Sequence, residues 1–323
     1  MTTLTAAVDY WCNCFLPDRE ANWERAVERQ ALTLRFSRPG DEFCTPDEMV
    51  TRLHDSGFAQ VVVVATPPPP AGTDDPNLFE HVAFRPEEVA GLARDHPGVF
   101  RGLWSVDPGS GERGVALAEE MLGEPWCVGL HNHTHSWDRR FDHPDFDPYY
   151  RLCEQQDVPF VMQAGASGGR FRHECGHPDG IDAPAAEFPT VRFVLSHTGW
   201  PWTTGTIERA RRFPNVYLGT ATWPLRRWEP ELVDFVRGPG TSKVLYGSGF
   251  PITGHRQAAR QFADPELTSA LGDEVVTAVT SINARSVFTR LPDPGEPDPG
   301  EPTFDEPTFD EPTFDEPTFD EED

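Results

Sequence analysis

Short apolar runs alternate along the chain with stretches of helical period. The strand candidates are 5–8, 61–64, 102–106, 127–130, 160–163, 191–196, 216–218 and 244–246. Each is apolar on both sides, which requires burial of both faces, as in a parallel sheet covered by helices. Between them the sequence carries helix signals. Thr45 before Pro46-Asp47-Glu48 is a cap followed by a first-turn proline, and Gly57 closes that helix. Pro86 opens another helix, ending near Gly98. Further helices fall over 115–122, 148–156, 207–212 and 232–236, with a closing helix over 274–288. Eight strand–helix units in about 290 residues predict an α/β fold, a (β/α)8 TIM-barrel-like single domain. A doubly wound open sheet competes, but no G-x-G-x-x-G follows an early strand.

The end of the chain breaks the pattern. From Leu291 to Asp323 there are 14 acidic residues and no Lys or Arg. Proline recurs every fifth residue, and Thr303-Phe304-Asp305-Glu306-Pro307 repeats with small changes to the terminus. Such a segment forms neither helix nor central strand and is expected to be a disordered acidic tail. The expected division is a barrel over 1–290 and a Pro-rich repeat tail over 291–323. Phe304, Phe309, Phe314 and Phe319 are regularly spaced and could anchor the tail to a docking partner.

Charge then narrows the function. The 323 residues hold 27 Lys+Arg against 53 Asp+Glu, a net charge of −26. Without the tail the body has 39 acids against 27 bases, ordinary for a soluble domain. A nucleic-acid partner is not expected, because phosphate binding needs a positive face. Nor is a membrane: no apolar run approaches the ~18 residues of a span. The N-terminus lacks the pattern of an export signal, so the expected location is cytoplasmic. In that setting the six cysteines read as reduced thiols. A small-molecule substrate is the expected partner, and a homo-oligomer is left open.

In a barrel, chemistry gathers where strands end on the C-terminal face. Those positions here are 9–14, 66–70, 107, 131–135, 163–165, 197–200, 220–222 and 247–251, rich in His, Asn, Gln, Asp and Trp. His131-Asn132-His133-Thr134-His135 has alternate histidines, and His173-Glu174-Cys175-Gly176-His177 is also rich in ligand types. Two neighbouring histidines could lower the pKa of Cys175.

Several stretches resemble the amidohydrolase superfamily, specifically its amidohydrolase-2 group. They are Val191-Arg192-Phe193-Val194-Leu195-Ser196-His197-Thr198-Gly199, then Phe213-Pro214-Asn215-Val216-Tyr217-Leu218, Val244-Leu245-Tyr246-Gly247-Ser248-Gly249-Phe250-Pro251 and Asn283-Ala284-Arg285-Ser286-Val287-Phe288. Asp142-His143-Pro144-Asp145-Phe146-Asp147-Pro148-Tyr149, leading to Val158-Pro159-Phe160-Val161, fits as well. The resemblance covers most of the body in the expected order. It implies a barrel and a metal-dependent hydrolase or decarboxylase of small carboxylated or cyclic compounds. It also implies a D-x-H-x-H after strand one, a His after strand five, an Asp after strand eight, and a catalytic His after strand six.

Against that pattern the ligand positions are substituted. Asp9-Tyr10-Trp11-Cys12-Asn13 puts Trp11 and Asn13 where two histidines are expected, Gln163 takes the strand-five position and Gly249 the strand-eight position. Only His197 matches, at the acid/base position. Trp11 offers no acceptor and Gly249 no side chain, while Asn13 and Gln163 are weak neutral amides for a zinc-type ion. The cofactor is therefore unknown. A divalent metal would need replacement ligands, for which His131, His133, His173 and His177 are the candidates. The expected site has His197 as general acid/base, with Trp11, Asn13, Gln163, His131 and Trp200 binding substrate. Trp202 and Trp223 could extend an aromatic lining, and Arg170 and Arg172 could hold a carboxylate. The alternative is a non-catalytic barrel, a small-molecule-binding or scaffold protein with a docking tail.

Overall fold

The structure is a computed structural model, and the described residues are 4–29, 43–66, 82–168 and 171–293. The repeats, the prolines after Thr66 and Arg170 lie outside them. Eight parallel strands run in sequence order round a single sheet. They are β1 (Ala7–Cys12), β2 (Phe58–Ala65), β3 (Phe100–Ser105) and β4 (Cys127–Asn132), followed by β5 (Phe160–Gln163), β6 (Phe193–Ser196), β7 (Val216–Gly219) and β8 (Val244–Leu245). The seam between β8 and β1 is held by Tyr10 N–H donating to the Tyr246 carbonyl (3.2 Å) and Gly249 N–H to the Trp11 carbonyl (2.8 Å). The (β/α)8 reading of the sequence holds.

Alternation along the strands sorts side chains into two cores. Val8, Val62, Val64, Leu103, Val128, Val161, Val194 and Leu245 form one buried cluster, filling the barrel. Ala284, Val287 and Phe288 at the end of the chain's last helical run join it and plug the barrel's N-terminal end. Residues of the opposite parity, such as Ala7, Val61, Val63, Leu130 and Met162, pack in a larger cluster beneath the surrounding helices.

Several boundaries moved from their expected places. The first strand begins at Ala7, two residues later than the apolar run suggests, because Ala6 has a positive φ of 52° and cannot extend. The helix Pro46–Asp55 is as expected: Thr45 and Glu48 form a reciprocal capping box. The closing helix is not uniform. Asp273–Thr277 passes into a π-helical turn, Ala278–Ile282, before Asn283–Val287. There the backbone serves the sheet, with Tyr246 N–H donating to the Val279 carbonyl and Ser281 Oγ to the Ala6 carbonyl. Polar composition hid the helices Glu20–Arg29 and His255–Phe262 from the apolar pattern.

Candidate functional site

The site begins with an irregularity in β1. Its pairing with β2 steps from Asp9 opposite Val61 to Cys12 opposite Val63, so β1 holds one extra residue. This bulge turns Tyr10 and Trp11 both into the barrel cluster. It leaves Cys12 in the outer core and Asp9 facing the helix His255–Phe262. A strictly alternating D-x-H-x-H would not sort this way.

Asp9 is therefore behind the site rather than in it. Its carboxylate accepts from Trp11 N–H (3.1 Å), Ser248 N–H (2.8 Å), Ser248 Oγ–H (2.5 Å) and His255 Nε2–H (2.8 Å). Asp9, Ser248 and His255 are all fully buried. Asn13 extends the lock: its Nδ2 donates to the Phe250 carbonyl at 2.7 Å, and its Oδ1 accepts from the Trp11 indole N–H at 3.3 Å.

Trp11 projects into the mouth between two imidazoles. Its ring centroid lies 4.6 Å from that of His131 and 5.1 Å from that of His197, nearly perpendicular to both. Tyr10 forms the floor beneath. Its hydroxyl is 2.6 Å from Ser196 Oγ, and a Cβ at Gly219 or Gly247 would collide with its ring or hydroxyl. Burial raises the proton affinity of that phenol.

His197 sits on a turn of unusual backbone. His197, Thr198 and Gly199 have φ of 63°, 56° and 75°, three successive residues in the left-handed region. For the two non-glycine residues such geometry costs on the order of 1–3 kcal/mol each, and it persists only where surroundings enforce it. At Gly199 a Cβ would lie 1.9 Å from Thr206 Oγ1, so the helix Thr203–Arg212 is pressed against this turn. The His197 ring is partly exposed, but its Nδ1 is enclosed and makes no hydrogen bond. Burial lowers its pKa to about 3, with His135 adding a smaller contribution, so the ring is neutral at pH 7.

The histidines at the end of β4 and just after it share this state. Burial, then His197, lowers His131 to about 3, and burial lowers His135 to about 4. His133 is also pushed down, by burial first and its neighbouring histidines second. His131 Nδ1 meets Ser105 Oγ at 3.1 Å. His133 Nδ1 meets Ser136 Oγ at 2.5 Å, and His135 Nε2 the Gly165 carbonyl at 2.9 Å. Phe171 packs across both later rings. The loop after β5 thus covers them.

At the mouth Trp11 contacts Asn13, His131 and His197, and Gln163 lies buried at the end of β5, paired in register with Ser196 next to His197. Trp200 stands at the rim of the mouth, its ring tilted against that of Trp223 with centroids 5.5 Å apart. Trp202 packs instead against His177.

The proposed replacement ligands do not assemble. His173 is exposed, and His177 binds Asp179 at 2.7 Å, away from His131 and His133. Among the described residues, the one set of three His, Cys or acidic donors within reach of a common ion is Asp9, Cys12 and His255. It lies outside the barrel interior, and Asp9 is already saturated by the four donors above. Cys175 is corrected too: burial and the adjacent Asp138 raise its thiol to about 11, so it is not an activated thiolate. Arg172 is paired with Asp138 and Glu174.

The strand-eight position excludes an aspartate by geometry. Gly249 has a φ of 57°, and a Cβ there would lie 2.5 Å from Thr222 Cγ2 and 2.7 Å from its backbone nitrogen. With Trp11 filling the lumen and Asp9 facing outward, these residues do not fit the metal centre that the sequence resemblance implies.

A parallel barrel with its polar residues gathered at the C-terminal mouth defines the class of protein. The amidohydrolase family model matches residues 45–290, and the chain belongs to that family. No curated protein matches the chain. Among solved structures it is similar to an uncharacterized TIM-barrel protein from Bordetella bronchiseptica, at 19% identity and a TM-score of 0.69 over 88% of this chain and 99% of that one. It is similar to 2,6-dihydroxybenzoate decarboxylase from Rhizobium at 12% identity and a TM-score of 0.60, covering 88% and 99%. The manganese complex of 5-carboxyvanillate decarboxylase from Novosphingobium aromaticivorans gives 14% identity and a TM-score of 0.60, covering 89% and 96%. At these identities the likeness establishes the fold. No helix among the described residues is long and apolar enough to cross a membrane.

Proposed function

We propose that the chain is a hydrolase or carboxy-lyase of amidohydrolase type, acting on a small carboxylated or cyclic substrate without the usual metal centre. His197 is its general acid/base. The observation that carries this reading is the His197 turn: an imidazole held on three left-handed residues at the end of β6, with an enclosed Nδ1 unused by the protein. Decarboxylation is the favoured branch, since two of the similar structures are decarboxylases of aromatic acids.

The roles follow from what each group can do. Neutral His197 accepts a proton from substrate or water. A negative substrate beside it raises its proton affinity, so proton and anion enter together. The protonated ring then returns the proton to the leaving or reacting atom. Gln163 offers an amide donor and acceptor. Asn13 positions Trp11, whose indole fixes the two imidazoles edge-on. His131 and Trp200 complete the substrate contacts.

The test is turnover on a panel of aromatic and cyclic carboxylic acids and lactones, with chelator present throughout. Activity that survives chelation and falls at least about a hundredfold in His197→Gln matches a general acid/base. Activity abolished by chelator, or unchanged in His197→Gln, removes the proposal. One observation favours the alternative of a binding barrel: Trp11 packs solidly where a reactive centre would otherwise open. Ligand binding with no turnover of any panel member would select it.

A further inference from the structure

We propose that the surface formed by Trp200, Trp223, Arg226 and Arg227 at the barrel mouth is the docking site for this chain's own Thr-Phe-Asp-Glu repeats. Trp200 is 43% exposed, one of two large apolar side chains left open among the described residues. Its ring and that of Trp223 lie 5.5 Å apart and tilted by 39°, presenting two adjoining aromatic faces. Both positions are fixed by backbone contacts. Ala166 N–H donates to the Trp200 carbonyl at 2.7 Å, and Trp228 Nε1–H to the Trp223 carbonyl at 3.2 Å.

The next turn of the same loop, Leu225–Arg227, exposes two guanidinium groups. Neither has an ion-pair partner among the described residues. Arg209 and Arg212 on the neighbouring helix are already engaged by Asp182. On a body that is acidic overall, an aromatic pair followed in the same loop by two exposed arginines, unpaired among the described residues, favours a ligand with rings and carboxylates together.

The tail repeats that chemistry four times, at 303–306, 308–311, 313–316 and 318–321. Each unit offers one phenyl ring followed by two carboxylates. Reach is sufficient. The described chain leaves near Pro292, whose carbonyl accepts from Gln60 and Arg285 at the end of the barrel opposite the mouth. The sixteen residues to Phe309 span about 50 Å at the ~3.1 Å rise of an extended Pro-rich chain, against roughly 20 Å for a six-residue strand. Later units have slack. Repetition keeps a fresh unit near the surface at high effective concentration.

The full-length chain carrying a photoreactive benzoylphenylalanine at position 309 tests this directly. Irradiation should give adducts within the same chain, on the peptides that contain Trp200 or Trp223. Their yield should drop several-fold in R226E/R227E and at raised salt. Adducts spread evenly over the barrel, no adducts, adducts only between two chains, or a yield indifferent to R226E/R227E would each overturn the proposal.

Discussion

Asp9 and His255 are joined carboxylate to imidazole at 2.8 Å, both fully buried, on the outer side of the first strand. The pair ties β1 to the helix His255–Phe262, while Ser248 ties the same carboxylate to the loop after β8. The barrel seam is closed by this knot, and the knot also aims Trp11.

Asp9→Ala should therefore cost stability rather than only chemistry. It leaves the His255 ring and the Ser248 hydroxyl without their acceptor in a dry interior. The expected loss is on the order of 3 kcal/mol. Urea denaturation should show a lowered midpoint with an unchanged slope. A midpoint within error of the parent would mean the knot is not formed.

Trp11→Ala should open a cavity between His131 and His197, at a cost of roughly 3–5 kcal/mol. The two imidazoles, freed from the indole, should titrate nearer the ordinary value. Proton-detected NMR of the histidine rings reads this, and unmoved His131 and His197 resonances would count against the packing described.

Acid should destabilise the fold through its histidines. In the folded state burial lowers His131 and His197 to about 3 and His135 to about 4, whereas an unfolded chain protonates near ~6.5. The unfolded state then binds more protons, so this stability is present above pH ~6.5. It is lost as pH falls through that value toward 3. Denaturation midpoints measured between pH 7.5 and about 4.5 should decline steadily, and less steeply in His131→Gln. A flat profile would contradict the buried, neutral cluster.

Gly249→Asp should not rebuild a ligand. The left-handed backbone and the contact with Thr222 oppose any Cβ there, and the cost should be about 2 kcal/mol or more. Calorimetry with and without manganese checks it. A variant as stable as the parent, and further stabilised by the ion, would show that a metal position persists.

Much of this architecture is legible in the chain. Continuous apolar runs such as 61–64 and 160–163 can satisfy both faces only in a covered parallel sheet, and the capped helix at Thr45 marks the period. His197 is legible as well, through its place after an apolar strand. The direction of Asp9 was not. A bulge inserts one residue without any compositional mark, and it reverses which neighbours share a face. His255 was hidden for a related reason: its partner is 246 positions away, and its helix is mostly polar. His131, His133 and His135 were legible as a group, but not as neutral, separately bonded rings. Two of their partners, Ser105 and the Gly165 carbonyl, come from other segments, and the third, Ser136, becomes a partner only through the turn after His133.

Metal content is the most direct measurement. The protein should be purified without chelator or metal-affinity steps, and its zinc, manganese and iron counted per chain by mass spectrometry. On the reading proposed above, a barrel in which Trp11 packs between His131 and His197 and a Cβ at Gly249 would strike Thr222 should carry far less than one metal per chain. Close to one tightly held ion per chain, lost in Trp11→Ala or His131→Gln, would contradict it.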